Sequence, residues 1–110
     1  MNITDLPPGM IDWASVASTM LAGETGHADG RARQLGDIQL RVVEYSAGYL
    51  ADHWCHKGHI LYVLTGAMVI EHQDGSRYDL RAGASWHVAD NEGAPHRVVC
   101  NDGATVFIVD

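Results

Sequence analysis

From residue 31 onward the chain alternates short, β-branched segments with turn residues, and this cadence leaves few folds open. Segments 38–45, 60–64, 67–72, 77–80, 85–88, 97–100 and 105–109 are rich in Val, Ile, Leu and Tyr. Gly36-Asp37, Gly66, Asp74-Gly75, Ala82-Gly83 and Asn101-Asp102-Gly103 separate them. Asp-Gly is a strong hairpin signal because both central positions of a type I′ turn need positive φ. Strands of about 4–8 residues recurring every ~10 residues predict an all-β sandwich or barrel. No internal repeat, low-complexity tract or linker interrupts the pattern. Ahead of it, Pro7-Pro8-Gly9 reads as an extended arm. Trp13, Val16, Ala17, Met20 and Leu21 fall at helical spacing, which predicts one helix over residues 12–22 with Gly23 as its stop. Residues 23–30, with three glycines, read as a loop.

A chain of 110 residues is one domain, and 46% hydrophobic against 19% charged residues makes it globular rather than disordered. The net charge of −7, with no Lys/Arg cluster, argues against nucleic acid and anionic membranes as partners, since both are bound chiefly through basic side chains. No apolar run approaches the ~20 residues needed to span a bilayer. Met1 to Asp5 lacks a basic stretch followed by an apolar one, so a secretory leader is not expected and the cytoplasm is the expected compartment. In a reducing compartment Cys55 and Cys100 read as two thiols with separate roles. Lys57 is the sole lysine while histidines number seven, a first hint of metal or proton chemistry.

The histidines concentrate around residues 53–59. Successive side chains on a strand point to opposite faces, so His53 and Cys55 share one. His59 has the same parity, and a turn at Lys57-Gly58 would fold the chain back to bring it beside them. His96 lies far along the chain, at the start of a later strand. Imidazole suits Zn, Fe, Ni and Cu, and thiolate favours the softer of these over Mg and Ca. Interior polar groups are costly unless satisfied, and a metal would satisfy them together. The competing reading is a polar strand end with chance histidines. His56 has the opposite parity and reads as solvent-facing. His72, next to the Asp74-Gly75 turn, reads as exposed. His87 reads as lining a barrel mouth or lying on the surface, Cys100 as a small core residue, Trp54 as packing or an interface anchor, and Asp52 as outward-facing without a catalytic role.

His53-x-Cys55, His59 and Gly66, with Gly48 ahead of them and His96 after Gly93-Ala94-Pro95, resemble the two motifs of the cupin superfamily. The run from Tyr49 to His59 is similar to a small subgroup, the DHCW-motif cupins. So are Val43-Glu44-Tyr45-Ser46, Val88-Ala89-Asp90 and Phe107-Ile108-Val109-Asp110. The resemblance covers roughly residues 24–110. It implies a single-domain jelly-roll β-barrel over 24–110 after an N-terminal arm or helix over 1–23. It also implies a divalent transition metal (Zn, Fe or Ni) on His53, Cys55, His59 and His96, and a homodimer. Two departures stand out: Cys55 replaces the usual second histidine and His59 the usual carboxylate. The softer site strengthens the expectation of a metal and weakens the transfer of any cupin reaction, so catalytic residues stay unassigned.

Three functions follow. The first is a metal-binding barrel acting on a small molecule through an open metal position. The second is a non-catalytic binding or sensing barrel, favoured if four ligands close a tetrahedral zinc site. The third is a metal-free, isomerase-like barrel, which leaves the ligand-type residues unexplained.

Overall fold

The computed structural model describes residues 3–90 and 95–110. Seven strands carry the fold: β1 (Thr19–Ala22), β2 (His27–Leu35), β3 (Ile38–Leu50), β4 (His59–His72), β5 (Arg77–Arg81), β6 (Ser85–Val88) and β7 (His96–Val109). They form one antiparallel sheet in the order β1-β2-β3-β7-β4-β5, and β6 pairs the first half of β4. The all-β expectation is met. The sheet rolls around a core in which Val63, Val106, Ile70 and Cys100 are fully buried. Each buried aliphatic side chain contributes roughly 1.5–3 kcal/mol relative to leaving it in water. Among the described residues no helix is long and apolar enough to cross a membrane.

The helix expected over residues 12–22 does not form. A single 3-10 turn, Trp13–Ser15, stands in its place, and the chain then enters β1. Asp12 caps the turn, accepting from the Ala14 N–H at 3.3 Å and the Ser15 hydroxyl at 2.9 Å. Ser15, Val16, Ser18 and Thr19 are weak helix formers, and pairing of Thr19 with Gly30 offers the backbone a sheet ladder instead. Arg31 donates from Nη1 to the carbonyls of Trp13 (2.9 Å) and Val16 (2.8 Å), which ties the turn to the sheet. Residues 3–10 are exposed, as expected of an arm. Strand β2 had no sequence signal, because the polar run from His27 to Gln34 hides it. Its register with β3, from Ala28 opposite Tyr45 to Leu35 opposite Ile38, is set by the two-residue turn Gly36-Asp37.

The breaks expected at Gly66 and at Asn101-Asp102-Gly103 are not turns. β4 and β7 run through them and bend instead. Gly66 and Gly103 both take positive φ, at 77° and 96°, and a Cβ on Gly66 would collide with the Gly103 carbonyl oxygen. The β4–β7 register slips here, between Val63 and Thr65 and again between Gly66 and Val69. Such bulges and close glycine contacts are how a sheet turns a barrel corner. The slip also changes which side chains face inward on β4. Leu61 and Val63 are buried before it, and Met68, Ile70 and His72 after it. β7 keeps one parity throughout, burying His96, Cys100, Ala104, Val106 and Ile108.

Candidate metal centre

Two backbone pairings assemble the site. His96 opens β7 opposite His72 on β4. On its other side the loop before β4 lies against it: the Cys55 N–H donates to the His96 carbonyl at 2.7 Å, and the His96 N–H returns to the Cys55 carbonyl at 3.1 Å. The loop is pinned again at Gly58, whose N–H donates to Asp90 Oδ1 at 2.7 Å. A Cβ on Gly58 would lie 2.6 Å from the Asp90 nitrogen, so only glycine allows this approach. The chain bends at Lys57 rather than reversing, since β3 and β4 both run antiparallel to β7, and His59 arrives beside Cys55.

Cys55, His59 and His96 form a cluster whose ligand atoms all lie within 4.8 Å of one another. Cys55 Sγ is 3.4 Å from His59 Nε2, and the Lys57 N–H donates to the same sulfur at 3.4 Å. The His96 ring is buried, 5.2 Å from the His59 ring and 4.8 Å from the Trp86 ring between centroids.

The structure does not bring His53 into this cluster. Its side chain is 74% exposed, with Nδ1 2.7 Å from Asp52 Oδ1. That bond is also what lowers the Asp52 carboxyl below its ordinary range. The outward Asp52 is therefore the partner of His53. The Gly93-Ala94 part of the expected second motif lies outside the described residues. His56 and His87 are exposed and Cys100 is buried, all consistent with expectation. Trp54 carries the Arg97 guanidinium 4.4 Å above its ring, a packing role. His72 departs from expectation. It is 6% exposed, edge-to-face with Tyr78 and 6.1 Å from the His96 ring between centroids. The register slip in β4 turns it inward, and no local sequence rule foretells that slip.

Two further residues were missed, Asp110 and Arg41. Asp110 follows β7 with the inward parity of Ile108. Its Oδ2 accepts from His59 Nδ1 at 2.9 Å and from Arg41 Nη2 at 2.7 Å, and the carboxylate is 1% exposed. With Nδ1–H committed to Asp110, His59 presents the lone pair of Nε2 toward Cys55. Burial lowers the His59 pKa and the neighbouring Arg41 charge adds to this, against the pull of Asp110, so the ring is neutral at neutral pH. In the sequence each has only the parity of its neighbouring apolar residues, Val43 for Arg41 and Ile108 for Asp110; their meeting depends on the β3–β7 pairing.

The donor set fits a transition metal. Zinc bonds of about 2.3 Å to sulfur and 2.0–2.1 Å to nitrogen, at a tetrahedral angle, put the two donors about 3.5 Å apart. The Cys55–His59 separation is 3.4 Å. Fixing a ligating histidine through a carboxylate on its other nitrogen is also the usual outer-shell arrangement.

Beside the cluster lies a cavity of about 410 Å³, lined by Tyr45, Tyr49, Arg41, His53 and Trp86 together with the three clustered residues.

A family model described as a cupin domain matches residues 41–110, and the chain belongs to that family. Solved structures give the same fold. The polyketide cyclase RemF from Streptomyces resistomycificus superposes with a TM-score of 0.72 at 18% identity, covering 94% of this chain and 78% of that one. A putative ethanolamine utilization protein Q from Salmonella typhimurium gives 0.73 at 14% identity, covering 91% and 82%. A predicted oxalate decarboxylase from Thermotoga maritima gives 0.72 at 14% identity, covering 92% and 96%. At these identities the likeness establishes the fold alone. Comparison with curated proteins gives no significant match.

Proposed function

We propose that this cupin is a metal-binding protein that holds a divalent transition metal (Zn, Fe or Ni) on Cys55 Sγ, His59 Nε2 and a ring nitrogen of His96. A remaining position is left for His53 or for a small molecule in the cavity. The observation that carries this reading is the Asp110–His59 bond, which fixes the tautomer whose free nitrogen faces Cys55. The metal would act as a Lewis acid toward a molecule in that position. The chain's own residues do the rest. Asp110 orients His59, the Lys57 N–H supports the Cys55 sulfur, and Trp86 covers the His96 ring against water. The protein is taken to work in the cytoplasm, as a homodimer, without nucleic acid or membrane partners.

His53 decides between two versions of this function. If it leaves Asp52 to become a fourth ligand, a tetrahedral zinc site closes and the barrel is a binding or sensing module. Its exposed position against Asp52 favours the open version, in which a small molecule reaches the metal.

The test is elemental analysis of protein purified without an affinity tag, with cobalt substitution to read thiolate ligation by absorption. Stoichiometric metal is expected in the wild type and in His53→Ala. Metal and the thiolate-to-cobalt band should both be lost in Cys55→Ser, and metal in His59→Ala. Stoichiometric metal unchanged in both of the latter variants would remove the site.

A further inference from the structure

We propose that the cavity beside the Cys55–His59–His96 cluster binds a small, ring-bearing organic anion, with the Arg41 guanidinium as its charge partner. This rests on reading the cavity as the ligand site of the proposed metal protein. The first observation is the chemistry of the cavity wall. The chain has 14 acidic and seven basic side chains. Among the described residues that line the cavity there is nonetheless no carboxylate, while two arginines, Arg41 and Arg97, are present. Each arginine has a carboxylate partner behind the wall, Asp110 for Arg41 and Glu71 for Arg97, so the wall presents guanidinium N–H donors to the cavity and no carboxylate.

Arg41 is the better placed of the two. Arg97 donates from Nε to Glu71 at 3.4 Å and lays its guanidinium over the Trp54 ring, so its Nε–H and one face are already engaged. Arg41 stands on β3 at the same parity as Val43 and Tyr45, all three lining the cavity. An inward arginine in a small barrel is costly unless its charge and donors are used. Asp110 engages only Nη2, and a guanidinium has five N–H donors. Within the pair the arginine is 27% exposed and the carboxylate 1%, so the accessible face of the pair is cationic.

The rest of the lining indicates the body of the ligand. Tyr45 and Tyr49 lie with ring centroids 4.9 Å apart, and Leu61, Ile108 and Trp86 add apolar wall. Burial raises the Tyr45 pKa, so its hydroxyl stays protonated and can donate to an anion. A volume of about 410 Å³ suits a molecule the size of a substituted ring. A bare acetate or oxalate would leave those walls without contact.

The probe is benzoate, with benzyl alcohol as its uncharged analogue and acetate as its ringless one. Binding is followed by calorimetry on the protein as purified and after metal removal with a chelator. A hydrogen bond to a charged group contributes about 1.5–3 kcal/mol, so benzoate is expected to bind at least about tenfold more tightly than benzyl alcohol. It should also bind more tightly than acetate, and both preferences should persist without metal. Arg41→Gln should bring benzoate down to the level of the alcohol, while Arg97→Gln should have a smaller effect. Several results would overturn the proposal: equal binding of benzoate and benzyl alcohol, no benzoate binding in either form, a preference present only in metal-loaded protein, or a folded Arg41→Gln that binds as before. Should Arg41→Gln fail to fold, the wild-type comparison of the three probes decides. Failure of the metal reading is seen separately, as the lack of stoichiometric metal, and leaves this comparison intact.

Discussion

Replacing Asp110 with asparagine removes one negative charge and keeps the shape, which makes it the sharpest single test of how the site is built. The carboxylate is buried and accepts from both His59 Nδ1 and Arg41 Nη2 on the same oxygen. An asparagine oxygen can still accept from His59, but its amide adds two donors beside an arginine that has lost its counter-charge. Breaking a buried ion pair from one side costs about 3–5 kcal/mol when both partners are fully buried. Arg41 keeps 27% exposure, so we expect about 2–3 kcal/mol here. For a domain of this size that is a fall in Tm of roughly 8–15 °C in metal-free protein. It leaves the chain folded at 25 °C if its stability is in the ordinary range of about 5–15 kcal/mol. Loss of an outer-shell carboxylate lowers metal affinity about 10–100-fold, or ~1.4–2.7 kcal/mol. Zinc affinity by competition against a chromophoric chelator, with thermal melts in parallel, measures both. Asp102→Asn on the exposed part of β7 is the control. A folded Asp110→Asn that binds zinc within about threefold of wild type would refute the claim that Asp110 orients a metal ligand.

Acidification provides a second check. The folded pKa of His59 is lowered below its ordinary 6.5, so the unfolded chain takes up the proton first. Its contribution to stability is full above pH 6.5 and is lost as pH falls through the folded value, so metal-free Tm should drop between pH 7 and 5, with a shallower slope in His59→Gln. The barrel corner can be tested with two glycines of positive φ. Gly66→Ala should cost at least about 2 kcal/mol because strain and collision add, whereas Gly75→Ala, with nothing near its Cβ, should cost about 1 kcal/mol. Comparable melts for the two would show that the Gly66–Gly103 contact does not hold the corner. Ile60, Tyr62 and Leu64, between 44% and 49% exposed, alternate along the outer face of β4 and offer an apolar surface to a second copy. Sedimentation should find a dimer that Tyr62→Lys with Leu64→Lys converts to monomer, and an unchanged mass would exclude that face.

Much of the architecture is legible in the amino-acid sequence. The β-branched segments and the Asp74-Gly75 and Gly36-Asp37 turns are local signals, governed by backbone sterics at one or two residues, and they appear in the structure where expected. Cys55 and His59 do meet, with Sγ 3.4 Å from Nε2, although a bend rather than a reversal joins them. Readings failed where long-range pairing outweighed local preference. Residues 19–22 leave their helical spacing because β2 offers a ladder, and β2 itself, polar along its length, is a strand only because β3 lies beside it. His53 shares the parity of Cys55, yet its side chain turns out to Asp52, since parity stops deciding direction once the chain leaves a regular strand.

By itself, then, the sequence determined an all-β chain with a group of metal-capable side chains near residues 53–59, to which the family resemblance added His96. Only the tertiary structure decided the surroundings of that cluster: the inward turn of His72, the Arg41–Asp110 pair behind His59, and the carboxylate-free wall of the cavity. The physical reason is that these features depend on the register between strands far apart in sequence. A slip of one residue at the Gly66–Gly103 corner exchanges the inner and outer faces of β4 beyond it, while β7 keeps its own.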